Sequence, residues 1–161
     1  MAAILALLLP GLALDTPTTT TPADATAEVV SVIDGDTIIV HINGEKETVR
    51  YIGIDTPEPR REGAPECGSH EATEYNRELV ENKTIRLVAD AEDRDQYDRL
   101  LRYVYVGEGT EEFFVNRTLV QNGLAKPLTI PPNDTFVSDF KSAARTAAAE
   151  QIGNWALCPD F

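Results

Sequence analysis

Between Glu28 and Ile54 the chain alternates branched apolar residues with turn residues: EVVSVI, DGD, TIIVHI, Asn43-Gly44, then ETVRYIGI. Alternation with a period of two buries one face of a strand, and Asn-Gly supplies the positive-φ pair that a two-residue hairpin turn needs. Three consecutive strands are therefore expected. Two more follow, TIRLVA at Thr84–Ala89 and LLRYVYV at Leu100–Val106, joined by the polar loop DAEDRDQYDR.

Helical spacing occupies the rest. A Gly/Pro-rich loop from Thr56 to Gly68 leads into Ser69–Asn82, where Ser69 is placed to cap the helix, Glu71 and Glu74 suit its first turns, and Ala72, Tyr75 and Leu79 share a face. Val115–Asn122 reads as a short helix that Gly123 terminates. After the Pro-rich loop PLTIPPND, Thr135–Gln151 carries Phe136, Phe140, Ala143, Ala144 and Ala147 on one side, with Trp155 expected to pack at its end. Five strands and three helices in this order predict an α+β fold, a small closed β-barrel with flanking helices, and the five-stranded oligonucleotide-binding (OB) barrel is the leading candidate.

The body is expected to run from residue 27 to residue 161, after a leader of different composition. Ala2–Leu14 (AAILALLLPGLAL) has the length of a signal-peptide apolar region and is short for a membrane span of about 20 residues, but no Lys or Arg precedes it. An export signal or its remnant, a membrane anchor, and a misassigned start all remain open. The stretch DTPTTTTPADATA then reads as a tether. Export predicts a secreted or extracellular protein, tethered to a membrane only if the apolar segment is retained.

Two cysteines, Cys67 and Cys158, lack the spacing of a zinc site. In an exported chain they most simply form one disulfide, whose loop of about 90 residues contributes on the order of 4 to 5 kcal/mol in the chain-entropy model, and a pair of free thiols is the alternative. Asn-x-Ser/Thr sequons at Asn82, Asn116 and Asn133 would suit a secreted surface.

The net charge is −13, from 27 acids against 14 bases. That balance argues against gripping nucleic acid by bulk charge, since such binders show a basic face to phosphates. A bound cation or high salt would have to offset the repulsion. The few lysines (Lys46, Lys83, Lys126, Lys141) against many arginines give the acid-rich, Lys-poor surface expected of a salt-loving host.

Charge gathers where strands end. Asp34-Gly35-Asp36-Thr37 fills the first turn, Arg50 sits in the third strand, Asp55-Thr56-Pro57-Glu58 follows it, and Asp95-Gln96-Tyr97-Asp98-Arg99 precedes the fifth. Clustered carboxylates repel one another unless solvated or bridged by a cation. Asp36 and Asp55, with a backbone carbonyl and waters, offer the hard oxygen ligands of Ca2+. Arg50 and Arg99 could hold a phosphate bidentately, and Glu58 could orient or deprotonate a water. His41 and His70 are expected on the surface with no catalytic part.

Taken together, VIDGDT, VRYIGIDTPE, DQYDRLLRYVYV and VNRTLVQNGLA resemble the thermonuclease family, whose type member is staphylococcal nuclease, over about residues 27 to 156. The resemblance implies a monomeric, calcium-dependent endonuclease of weak sequence specificity that hydrolyses DNA and RNA to leave 3′-phosphate ends. It assigns Asp36 and Asp55 as calcium carboxylates, the Thr56 backbone as a carbonyl ligand and Asp34 as an acid reached through water. Glu58 matches the water-activating glutamate, Arg50 and Arg99 the phosphate-binding arginines, and Tyr97 a tyrosine beside the nucleotide.

The chain departs from the family pattern at Gln96, where a phosphate-contacting lysine is usual, and at Thr129 and Pro131, where tyrosines line the nucleotide pocket. Cys67 has no counterpart in the type member. The alternative from another class is a catalytically silent domain of this fold that binds nucleic acid or protein. Such domains typically lose one or more of the acids or arginines, and none is lost here.

Overall fold

The computed structural model describes residues 24–59 and 63–161; the apolar segment Ala2–Leu14 and most of the tether lie outside them. In chain order the strands are β1 (Ala25–Val32), β2 (Thr37–Ile42), β3 (Glu45–Tyr51), β4 (Ile54–Asp55), β5 (Thr84–Val88), β6 (Leu100–Val106), β7 (Phe113–Phe114) and β8 (Lys126–Pro127). The α-helices are α1 (Ser69–Val80), α2 (Val115–Gln121), α3 (Val137–Ala149) and the single turn α4 (Asn154–Leu157).

The barrel follows from the predicted alternation. β1, β2 and β3 form an antiparallel meander, turned at Asn43-Gly44 with φ of 54° and 85°, and β1 also pairs antiparallel with β5, which pairs with β6. Closure comes from a short parallel ladder between β3 and β6, with Val49 opposite Leu100 and Tyr51 opposite Arg102. Val29, Ile38, Val40, Val49, Ile85, Leu87 and Val104 fill the interior and are buried. Each such side chain contributes roughly 1.5–3 kcal/mol by leaving water.

Helices cover the barrel on their apolar faces. Phe140, Ala144 and Ala147 of α3 are buried, and Phe140 joins Tyr103, Phe114 and Phe136 in an aromatic cluster with ring centroids 4.7–6.5 Å apart. Such edge-on and tilted contacts add to plain burial. Trp155 packs edge-on against Phe161 at 4.9 Å.

Several expectations need correction. β1 starts at Ala25, so Ala25 and Thr26 belong to the sheet, opposite Leu87 and Arg86, and not to the tether. The third strand stops at Tyr51, after a last ladder bond from the Ile52 amide to the Arg102 carbonyl (3.0 Å), as Gly53 at φ 81° turns the chain. Ser69 does not cap α1: the helix is entered from Gly68 at φ 83° with no side-chain cap, and Ser69 is buried in its first turn. β7, β8 and α4 were not expected, being too short to show a period.

The sequons also divide. Asn116 is fully buried, accepting the Val104 amide (2.9 Å) and donating to the Ile52 carbonyl (2.9 Å). Asn133 is 4% exposed and brackets the Glu92 backbone on both sides, at 2.7 and 3.1 Å. Neither can carry a glycan in the folded chain, and Asn82 alone of the three is exposed. The cysteines form a disulfide, Cys67–Cys158, with Cα atoms 5.7 Å apart, which removes the free-thiol alternative.

Candidate active site

The turn between β1 and β2 builds the first half of the site. Asp34 accepts the Asp36 amide on Oδ1 (3.1 Å), while the Ile33 amide bonds the Thr37 carbonyl (2.9 Å). This local bonding is the ordinary use of aspartate in a turn. Gly35 is required by close approach, since a Cβ there would lie 2.7 Å from Thr56 Oγ1. Thr56, directly after β4, thereby reaches Asp36, donating to its Oδ2 from the backbone amide (2.8 Å) and from Oγ1 (2.9 Å).

Arg50 joins the halves. Its Nε lies 3.1 Å from Asp36 Oδ1, its Nη2 donates to Asp55 Oδ1 (2.9 Å), and its Nη1 donates to the carbonyls of Tyr51 (2.9 Å) and Ile54 (2.8 Å). Asp36 is fully buried, whereas the Asp55 side chain is 53% exposed. Burial pushes the Asp36 carboxyl up to about 7, the Arg50 guanidinium pulls it down, and the Asp34 carboxylate adds to the rise. A buried acid in this state would be relieved by a further positive charge.

Glu58 stands on the exposed loop beyond Pro57. Burial raises its pKa above the ordinary carboxylate value, and the Asp34 charge acts in the same direction against Arg50. Its own amide donates to Glu66 Oε2 (3.0 Å), and the Glu66 amide donates back to the Glu58 carbonyl (3.0 Å).

Arg99 stands just before β6, which pairs with β3 so that Leu101 lies opposite Arg50. Its Nε donates to Asp95 Oδ2 (2.6 Å), and Asp95 Oδ1 accepts the amides of Tyr97 (2.9 Å) and Arg99 (3.0 Å). Tyr97 is 71% exposed, with the Arg99 guanidinium 5.6 Å from its ring centre. A cavity of about 440 Å³ brings the two arginines together, lined also by Gln96, Tyr97, Leu128 and Ile130. Thr129 and Pro131 are exposed beside this cavity without lining it, so the apolar wall is aliphatic.

The structure thus gathers Asp34, Asp36, Arg50, Asp55 and Thr56 into one bonded cluster, with Arg50 and Arg99 facing a shared cavity. Glu58 is placed beside it by sequence proximity and by its electrostatic coupling to Asp34, Arg50 and Asp55. Among the described residues no group of three or more His, Cys, Asp or Glu side chains is arranged to hold a metal ion. The donor chemistry nevertheless fits a hard cation: the available ligands are carboxylate and carbonyl oxygens, and His41 and His70 are exposed on β2 and α1.

Supporting residues escaped the sequence reading. Asn76 on α1 is fully buried, donates to the Asp34 carbonyl (3.0 Å) and accepts the Tyr51 hydroxyl (2.9 Å), fixing the carboxylate turn against the helix. Asp95 holds the Arg99 loop, and Leu128 and Ile130 line the cavity. The alternation of residues 128–131 carried a signal for the last pair, since an extended segment shows alternate side chains to one side.

Comparison with known proteins places the chain in a family. The family described as staphylococcal nuclease homologue matches residues 48–157. Thermonuclease of Staphylococcus intermedius is 38% identical over 128 residues, covering 79% of this chain and 74% of that protein. Thermonuclease of Staphylococcus hyicus is 34% identical over 133 residues, covering 82% and 76%. Endonuclease YncB of Bacillus subtilis (strain 168) is 38% identical over 127 residues, which is 76% of this chain and 58% of that relative. On sequence and on fold, the chain belongs to the staphylococcal nuclease homologue family.

Proposed function

We propose that this chain is an exported, monomeric, calcium-dependent endonuclease of weak sequence specificity, hydrolysing DNA and RNA to leave 3′-phosphate ends. Nuclease hydrolysis itself follows from the family to which the chain belongs. The observation that supports the finer reading is the Arg50 bridge between Asp36 and Asp55, made by a side chain that also lines the cavity of Arg99.

Asp36, Asp55 and the Thr56 carbonyl would hold the calcium, with Asp34 acting through water. When bound, the ion neutralises the carboxylates and polarises the phosphate. Arg99 offers its terminal nitrogens to the phosphate oxygens, and Arg50 stabilises charge that builds on them during attack. Glu58, with its raised pKa, takes a proton from the attacking water. The water oxygen bonds to phosphorus as the bond to the 5′ oxygen breaks, and the departing 5′ oxygen takes a proton from solvent, leaving a 5′-hydroxyl and a 3′-phosphate. Tyr97 and the aliphatic wall of Leu128 and Ile130 receive the neighbouring nucleoside.

Export rests on the apolar run Ala2–Leu14 and is supported by the disulfide, since such bonds persist in oxidising compartments. The same reading takes the residues that precede β1 as leader and tether, outside the nuclease domain. Among the described residues no helix is long and apolar enough to cross a membrane.

Digestion of single-stranded DNA with calcium, and with chelator, across a salt series tests the proposal. Calcium-dependent cleavage leaving 3′-phosphate ends is expected. Cleavage unaffected by chelator, or none at any salt, would overturn it; binding without cleavage would identify a silent domain instead.

A further inference from the structure

The loop that carries Glu58 is fastened at its far end to the last segment of the chain. Glu66 and Glu58 exchange two hydrogen bonds: the Glu66 carboxylate accepts the Glu58 amide, and the Glu58 carbonyl accepts the Glu66 amide, both at 3.0 Å. The residue after Glu66 is Cys67, bonded to Cys158 just beyond α4. Gly68 comes next, and it packs so closely on the buried Asn154 that an added Cβ would lie 2.2 Å from Asn154 Nδ2. Asn154 is in turn held by its amide on the Gly123 carbonyl (2.9 Å).

Glu66 therefore stands between the proposed base and a rigid anchorage that is covalent on one side and close-packed on the other. A second cavity, of about 390 Å³, opens behind this junction and is lined by Asp55, Thr56, Glu66, Lys126 and both cysteines. Cys67 is exposed there, so a small thiol can reach the bond.

We infer that Glu66 is a positioning residue for Glu58, and that the Cys67–Cys158 disulfide holds Glu66 in the place from which it does so. This rests on the proposed role of Glu58. A carboxylate accepting a backbone amide fixes the chain direction at that residue. A catalytic group displaced by about 1 Å can lose on the order of 100-fold in rate, so even a modest slackening here registers in catalysis. Binding of the nucleic acid is left to Arg50, Arg99 and Tyr97, which the clamp does not touch. Reduction by a dithiol moves two electrons and two protons onto the Cys67 and Cys158 sulfurs, giving two thiols and the reagent as its cyclic disulfide.

The full chain is compared as wild type, Glu66→Ala, Glu66→Gln and wild type reduced with dithiothreitol, reading cleavage of single-stranded DNA and exchange of the Glu58 amide with solvent. Glu66→Ala and reduction should each lower kcat by about 10-fold or more at nearly constant KM and speed Glu58 amide exchange. Glu66→Gln, which keeps an acceptor oxygen, should restore both. A kcat within about twofold of wild type in Glu66→Ala, with unchanged Glu58 exchange, would overturn the inference. The exchange arm needs no activity: an inactive wild type overturns the proposed function, and Glu58 exchange indifferent to Glu66 and to reduction overturns the clamp.

Discussion

Arg50 and Arg99 face one cavity and are both paired with an aspartate, yet they are held in opposite ways. Every nitrogen of Arg50 is engaged, with two carboxylates and two backbone carbonyls, and its side chain is 12% exposed. Arg99 is tied through Nε alone, and among the described residues its terminal nitrogens carry no bond. A guanidinium with its fork open is ready for a phosphate, whereas one with its fork filled is part of the frame. Residues that look equivalent in sequence thus divide into a keystone of the site's frame and a fork left open toward the cavity.

Removing Arg50 should have the largest effect, because it leaves Asp36 buried beside Asp34 without its cation. Arg50→Ala is expected to lower unfolding free energy by about 3 kcal/mol and to cut cleavage by roughly 1,000-fold, read by urea denaturation and by digestion. An Arg50→Ala protein as stable as wild type would break the comparison. Arg99→Ala should be nearly as damaging to cleavage, by on the order of 100-fold, while shifting stability by about 0.5 kcal/mol or less. Arg99→Lys should recover little, since a point charge lacks the fork.

The smallest effect separates these arginine pairs from the rest of the acid titration. Burial pushes the Asp90 carboxyl up, but hydrogen bonds from the Tyr103 hydroxyl (2.7 Å) and from Thr135 (3.0 and 3.2 Å) outweigh it and hold the group below the ordinary aspartate value. A depressed folded pKa gives stability that is present above the unfolded value and is lost as pH falls through the folded one. Asp90→Asn should therefore cost on the order of 0.5 kcal/mol near pH 6, and that cost should fade in acid unfolding as pH drops through the lowered range of the carboxyl. A loss that persists at low pH would assign the acid's role to packing.

The barrel was legible because its strands bury one face, and burial writes itself as alternation. Leu100–Val106 was read to the residue, and the α3 face from Phe136 to Ala147 was read correctly. β7 and β8, each of two residues, leave no period to read. That these acids and arginines come together was legible through their arrangement along the chain. Their supports were not: Asn76 and Asn116 lie on helices where asparagine ordinarily faces water, and only the tertiary fold turns them inward to satisfy backbone groups. The same cause undid the sequon reading at Asn116 and Asn133, since a sequon reports neighbours in sequence and says nothing of exposure. Ser69 failed as a cap because the left-handed Gly68, pressed against Asn154, sets how the chain enters α1.

The Cys67–Cys158 bond joins positions 91 residues apart. A ribosome working from the amino end delivers the carboxylates, both arginines and all five barrel strands before it reaches Cys158. A nascent chain can therefore own every residue of the candidate site and still lack the bond that fastens the segment beyond Glu58. Under the proposed clamp, the time at which the molecule becomes fully competent is set by its oxidation and not by the closing of its barrel.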